Sequence, residues 1–478
     1  MKRFWLCAVV NVVVFLHVFM VTCYVDAALI DGDKLTLSGF LKNATSINVD
    51  TADDMDQFLK IRSTAQLEME YQFTDNIHFF TILREWYDSA YDAERTWRRR
   101  SGNRKAMSRT KGTDWLRECY LDYYSENLDI RIGKQQVVWG TADGVKILDL
   151  INPIDYREFN LELTRSLDAD VKIPLWMTKI EYSPSVNGTL QLLIIPDYEP
   201  NFIPPADTPY SFRATNVGEQ GFDTLRNFGA DVVIHNKKPG RSFENTKIGV
   251  RWLDVIKGFE YTLNYYHGYS SNMTRHFLGI QPFGVPFFPG AVASFEDRYA
   301  QTETLGASFS KALTKGPLRG YNFRGEFAWV HNNKNGYGTK DNQVGVGKVD
   351  QYNYVLGVDK YYWTNWLFSF QLIQFWLERE TEDGYDYLSG PTMAPLDQDE
   401  TILSLRIATD FMHERLKPDI LIQWGDDNDW EVSPRVEFEL RDYLILSWGM
   451  NIFSGHSDTL FGQFRNRDTM YFEVKVGF

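Results

Sequence analysis

The chain has 478 residues, a net charge of −14 and 15% aromatic residues, among them 14 Trp and 26 Tyr. Such acidity argues against a nucleic-acid partner. A mean hydropathy of −0.35 excludes a bundle of membrane helices, each of which needs about 20 consecutive apolar residues.

One such run exists, at the start. Met1-Lys2-Arg3 leads into apolar Phe4–Val21, and Val25-Asp26-Ala27 follows as a small-residue cleavage site. The pattern predicts a secretory signal over 1–27 and a single mature domain over 28–478, with an uncleaved anchor as the other reading. Cys7 and Cys23 lie in the signal. Only Cys119 remains, so neither a disulfide nor a cysteine metal site is expected within one mature chain.

The rest of the chain reads as strands in hairpins. Lys34–Asn43 is the first candidate. Ile61–Phe73 is the clearest: Ile61, Ala65, Leu67, Met69, Tyr71 and Phe73 alternate with Arg62, Thr64, Gln66, Glu68, Glu70 and Gln72. At about 3.3 Å per residue this segment crosses a bilayer while tilted. Thr74-Asp75-Asn76 turns it into Ile77–Trp86. A polar stretch of nearly thirty residues comes next. Leu116–Tyr124 and Leu128–Trp139 then pair about Ser125-Glu126-Asn127. Further hairpins join Ile173–Tyr182 to Thr189–Pro196, Lys247–Trp252 to Phe259–Tyr266, and Thr302–Lys311 to Tyr321–Val330. Others join Tyr352–Asp359 to Trp366–Glu378, Thr401–Phe411 to Ile420–Trp424, and Arg435–Leu440 to Tyr443–Phe453. Asp468–Phe478 ends the chain.

Short turns and long connections alternate along this series. With both termini on the periplasmic side, every short hairpin turn falls there and the long loops are extracellular. The expected fold is all-β: a transmembrane antiparallel barrel of about 18 strands, or 16 without the weak segments Lys247–Trp252 and Ile420–Trp424. Lipid-facing rows are Leu403, Leu405, Ile407 and Phe411; Leu444, Leu446, Trp448, Met450 and Ile452; and Phe259, Tyr261, Leu263 and Tyr265. Candidate lumen residues are Arg62, Glu68, Glu70, Arg324, Glu326, Arg406, Asp410, Arg435, Glu437 and Glu473. A charge on the lipid face at mid-bilayer costs about 2–4 kcal/mol, so the solvent sets the register. Trp86, Trp115, Trp139, Trp363 and Trp366 sit near strand ends, where interfacial girdles form.

Gly133-Lys134-Gln135, Trp139-Gly140 and Asn152-Pro153 followed by Asp155 form a motif set. With Lys172–Met177 and Pro196–Pro200, the chain resembles the outer-membrane family called domain of unknown function 1302, and distantly the alginate-export type of barrel. The resemblance implies a porin-like barrel tied to lipid or hydrophobic-compound transport. It supplies no substrate. Lys134 stands where many members have Arg, which removes the bidentate fork from any anion contact there.

Five stretches carry candidate functions. Val145, Ile147, Leu150 and the neighbouring Leu148, Ile151 and Ile154 are too apolar for a solvated loop. Stopped by Asn152-Pro153 and followed by Asp155, a further candidate of the same loop, this segment either folds inward as a constriction or caps neighbouring loops. Phe277–Phe295 and Phe202-Ile203-Pro204-Pro205 are proline-rich and apolar: a ligand lining or self-packed loops. Arg95, Arg98, Arg99, Arg100, Arg104 and Lys105 crowd one extracellular loop, as a phosphate-binding patch or a solvated segment. Gly425–Asp429 is a calcium loop or a plain turn.

No His-Glu-x-x-His, nucleophile elbow or phosphate-binding glycine loop appears. The reading is therefore not an enzyme, with no cofactor and no metal. It is an outer-membrane channel passing a small hydrophobic or amphiphilic solute. The alternatives are a component of a lipid or envelope export system with a periplasmic transport partner, or a barrel-anchored scaffold. The remaining expected partners are outer-membrane lipids, lipopolysaccharide and the barrel-assembly machinery.

Overall fold

A strand with one apolar and one polar face is stable only where its two faces meet different surroundings, and its unpaired edge must be satisfied. In hydrocarbon nothing satisfies an edge, so the sheet must close. The computed structural model shows that closure. It describes residues 30–50, 58–94, 101–110, 112, 114–140, 147–157, 171–283, 290–339, 344–378, 385–388, 395–396 and 399–478.

Eighteen strands form the wall. They are β1 Leu35–Asn48, β2 Phe58–Thr74, β3 Ile77–Asp88, β4 Leu116–Tyr124, β5 Leu128–Gln135, β6 Leu175–Tyr182, β7 Thr189–Ile195, β8 Lys247–Ile256 and β9 Phe259–Phe283. The second half is β10 Gly290–Ala312, β11 Tyr321–Thr339, β12 Val344–Tyr362, β13 Trp366–Glu378, β14 Asp399–Ala408, β15 Leu416–Gly425, β16 Trp430–Arg441, β17 Leu444–Ser454 and β18 Thr469–Gly477. Each pairs antiparallel with the next. β18 returns to β1, from Phe40 opposite Gly477 to Asn48 opposite Thr469, so no edge remains.

The hairpin at Lys257-Gly258 shows the turn chemistry. Ile256 pairs with Phe259, and both turn residues have positive φ (51° and 71°). That conformation matches the strand twist in a two-residue turn, and glycine adopts it freely.

Alternation places Leu263 (55% exposed), Leu305, Leu356 and Trp448 on the outer face. Thr262, Thr304, Ser404 and Ser447 line the inner one. At the periplasmic turn between β12 and β13, Trp363 packs edge-on against Trp366 and Phe368 with centroids 6.1 and 6.3 Å apart. This aromatic cluster is what an interfacial girdle requires.

The wall is uneven. β9 to β12 have 25, 23, 19 and 19 residues. β4 to β7 have 9, 8, 8 and 7. Most of Phe277–Phe295, read from sequence as a proline-rich loop, is strand: it forms the upper ends of β9 and β10, and 284–289 lie outside the described residues. There β10 also pairs in parallel with Ala230–Asn236. The preceding helix, Arg213–Asn227, sets Phe222 against Phe295, centroids 5.0 Å apart.

Leu263→Arg is expected to cost about 2–4 kcal/mol of stability in lipid. Urea unfolding in vesicles, followed by heat-modifiable gel mobility, measures it. Equal stability of the variant would place that face away from hydrocarbon.

Candidate functional site

The lumen is not an open pipe. After β5 the chain turns inward instead of upward. Trp139 donates from Nε1 to Gln191 Oε1 on β7 at 2.6 Å. The segment 147–157 then reaches the far wall, where the Leu148 amide donates to Glu326 Oε2 on β11 at 3.3 Å. Leu148 presses on β10 at Gly306: a Cβ there would lie 2.2 Å from Leu148 Cδ2. Only glycine permits that approach. Ile147, Leu148, Ile151 and Ile154 share one buried cluster with Ala328, Val355, Ile373, Ile402 and Phe453 of the wall. A hydrophobic core thus sits where a simple pore would hold water.

Asn152 secures the neck of this insertion. Its Oδ1 accepts from the Val137 amide at 2.8 Å, and its Nδ2 donates to Ile173 O at 2.9 Å and Gln135 O at 3.4 Å. The Ile173 amide donates to Pro153 O at 2.7 Å. One side chain therefore ties the exit of β5 to the approach of β6. Gln135 donates to Met177 O at 3.1 Å. Gly133, with φ 143°, lets Cys119 O and the Tyr120 backbone come close. Lys172 and Asp149 form a buried ion pair at 2.7 Å. The Ile154 amide donates to Asn201 Oδ1 at 2.7 Å, and Tyr198 donates from its hydroxyl to Ser270 O at 2.7 Å. Burial pushes the Tyr198 hydroxyl above the ordinary tyrosine range, so it remains a donor.

Beside the insertion lies a cavity of about 640 Å³. Its lining includes ten basic side chains: Lys42, Lys60, Arg62, Arg84, Arg117, Lys134, Arg157, Lys172, Lys238 and Arg241. Four acidic ones, Asp114, Asp155, Asp197 and Glu199, face them. Some cations are paired. Arg157 Nε lies 2.8 Å from Asp155 Oδ2, and Arg241 lies 2.7 Å from both Asp197 and Glu199. Asp88 and Asp149 pair with Arg62 and Lys172 from behind the lining. Among the described residues, and counting those two as well, the cations still outnumber the anions.

The candidate lumen residues fall into two groups. Arg62 lines the cavity, 4.0 Å over the Trp86 ring and 3.6 Å from Asp88. Others form ion pairs along the wall. Arg324 meets Asp359 at 3.0 Å, Arg406 meets Asp419 at 2.8 Å, and Arg435 meets Glu437 at 2.7 Å. Glu326 holds the insertion. Glu473 stands opposite Ala44 and Ser447 on the lumen row. Glu68 accepts from Gln66, and Glu70 lies 3.8 Å from the His78 ring toward the periplasmic end. Asp410 is not on the strand row: β14 ends at Ala408, and the Asp410 carbonyl accepts from Asn365 in the turn region.

Of the constriction candidates, Ile147, Leu150, Asn152, Pro153 and Asp155 lie in the inserted segment. Val145 lies outside the described residues, as do Arg95, Arg98, Arg99 and Arg100. Arg104 and Lys105 fall on helix Ser101–Ser108. At Gly425–Asp429, Asp426 accepts from the Thr401 amide and Asp429 from the Phe461 amide. Within the segment the Gly425 amide donates to Asp429 O at 2.9 Å and the Asn428 amide to Gly425 O at 3.2 Å, the bonding of a turn. Lys42, Lys60 and Arg84 were missed as lumen residues. The alternation that marks Arg62 also marks them.

These features define an outer-membrane, porin-like barrel whose lumen is occupied by an inserted loop. The chain belongs to the family described as protein of unknown function (DUF1302), which it matches over residues 40–478. Acinetobacter baumannii OccAB4 is similar in structure, with a TM-score of 0.52 at 10% identity over 93% of this chain and 98% of that one. Pseudomonas aeruginosa OpdK with vanillate gives 0.48 at 8% identity over 93% and 98%. Salmonella typhi OmpF in complex with daunomycin gives 0.42 at 11% over 94% and 98%. A comparison with curated protein sequences found no match.

Asn152→Ala removes the neck bonds and leaves the Val137 amide without its acceptor. The expected cost is about 1–3 kcal/mol. Single-channel conductance is expected to rise as the insertion loosens. A variant with unchanged conductance and stability would show that the neck does not hold the loop.

Proposed function

We propose that the protein is a channel passing small amphiphilic anions across the outer membrane without chemistry. The observation that carries this reading is the basic lining of the cavity beside the insertion, in an otherwise acidic protein. A low-dielectric wall focuses such a field, raising the local concentration of the oppositely charged solute. The apolar insertion beside the cations supplies a surface for the solute's hydrocarbon part. In this reading 147–157 is the constriction. Outer-membrane lipid and lipopolysaccharide surround the barrel, and the barrel-assembly machinery inserts it.

The paired charges along β11 to β16 play a different part. Arg324, Arg406 and Arg435 there each have a carboxylate within 3.0 Å, so these pairs add little net field. Selectivity is expected to arise on the β1–β3 side.

Planar-bilayer recordings under a potassium chloride gradient test this. The wild type is expected to prefer chloride. Reversing Lys60 and Arg62 together, Lys60→Glu and Arg62→Glu, should lower the anion preference by on the order of fivefold, equivalent to about 1 kcal/mol of lost attraction. The difference should shrink at high salt. A cation-preferring wild type would overturn the anion assignment, and a barrel that never conducts would favour an anchored scaffold.

A further inference from the structure

The cavity lining changes face as it passes from β3 to β6. Lys42, Arg62 and Arg84 belong to lumen rows. Lys134 and Trp176 do not. Lys134 stands opposite Cys119 and Trp176. On the same row, Ile132 stands opposite Leu121, and both are exposed on the outer surface. Directly paired residues share a face of the sheet, so Lys134 and Trp176 lie on the lipid side, with Trp176 43% exposed. Both nevertheless line the same cavity as Arg62. The cavity therefore passes over the rim of the wall.

Strand length gives the reason. β5, β6 and β7 have 8, 8 and 7 residues, whereas a tilted strand needs about 9–11 to span a bilayer. Eight residues at a tilt of about 40° rise roughly 20 Å, less than the apolar band of about 25 Å around such barrels. The strands on this side are therefore shorter than such a band and far shorter than β9 to β12. Lys134 Nζ is tethered there, donating to Leu116 O at 2.6 Å. Trp176 is held from behind, its amide donating to Asp197 at 3.1 Å. A cation beside an exposed indole at leaflet height matches an anionic head joined to a hydrocarbon tail.

We propose that the rim of β4 to β6 is a lateral portal, through which single-chain amphiphilic anions pass between the outer leaflet and the cavity. This deepens the channel reading and rests on it: Lys134 and Trp176 would receive the head and tail, and the basic lining would draw the head inward.

The test uses the full-length barrel in vesicles, with Cys119→Ser and Trp176→Cys. The new thiol is capped with a bulky methanethiosulfonate reagent that dithiothreitol removes. The probe is a fluorescent dodecyl sulfonate, whose fixed charge slows unaided crossing, read by a quencher trapped inside. Capping is expected to lower its transfer at least tenfold, reduction to restore it, and chloride conductance to stay within twofold throughout. Recovery on reduction separates blockage from misfolding. Transfer unaffected by the cap, or chloride conductance falling in step with it, would overturn the portal. A wild type that conducts chloride without preferring it would instead overturn the anion-channel reading. Lys134→Glu gives a second arm: it should reduce sulfonate transfer about tenfold, and equal transfer would remove the lysine from the portal.

Discussion

Hydrocarbon offers a backbone amide no partner, and the rest of the structure follows from that. Every wall strand must pair on both sides at membrane depth, which forces Phe40–Asn48 of β1 against Thr469–Gly477 of β18. Once the sheet is closed, inside and outside are distinct solvents. The alternation then has to hold around the whole circumference, because a one-residue slip would place Arg324 or Arg406 in lipid. The constraint acts only at membrane depth. Above it β9 to β12 extend as ribbons, and β10 takes Ala230–Asn236 as a parallel neighbour.

The closed wall leaves a wide interior, and this chain fills much of it with its own loop. Packing that segment inside the barrel lets Ile147, Leu148 and Ile151 bury fully, with a hydrophobic gain of about 1.5–3 kcal/mol for each side chain. Burial alone would not select one arrangement. The polar contacts do that: Asn152 at the neck, Glu326 at the far wall, and the Lys172–Asp149 pair between them. A lone buried Asp149 or Lys172 would be costly, so the pair defines where the loop can dock.

Much of the wall was legible in the sequence because period-2 alternation is a local signal. Leu116–Tyr124 and Trp366–Glu378 have in the structure the bounds the pattern predicts. The signal failed where its cause was absent. Phe277–Phe283 lies at the far end of the 25-residue strand β9, where proline and phenylalanine read as loop although the segment is strand. The apolar excess of Ile147–Ile154 was visible, but its docking partners were not. Leu148 and Glu326 are 178 residues apart, and no local pattern encodes such a contact. The basic cavity was missed for a related reason. Lys42, Lys60 and Arg84 each look ordinary on their own strands and form a field only when β1, β2 and β3 stand side by side.

Net charge says little about a channel, because the charges that face water outside and those that face the cavity belong to different surfaces. The chain carries −14, yet the described lining of the cavity beside the insertion is mostly basic. The pairs Arg324–Asp359, Arg406–Asp419 and Arg435–Glu437 offset one another on the opposite wall, and in the proposed reading the β1–β3 side contributes the larger basic field. The same side adjoins the short strands. A field is strongest where it is least screened, and in the proposed portal the short strands bring lipid close to the basic lining. Wall height and charge placement thus act on one region, and it is their coincidence, more than either alone, that sets this barrel apart from a uniform pore.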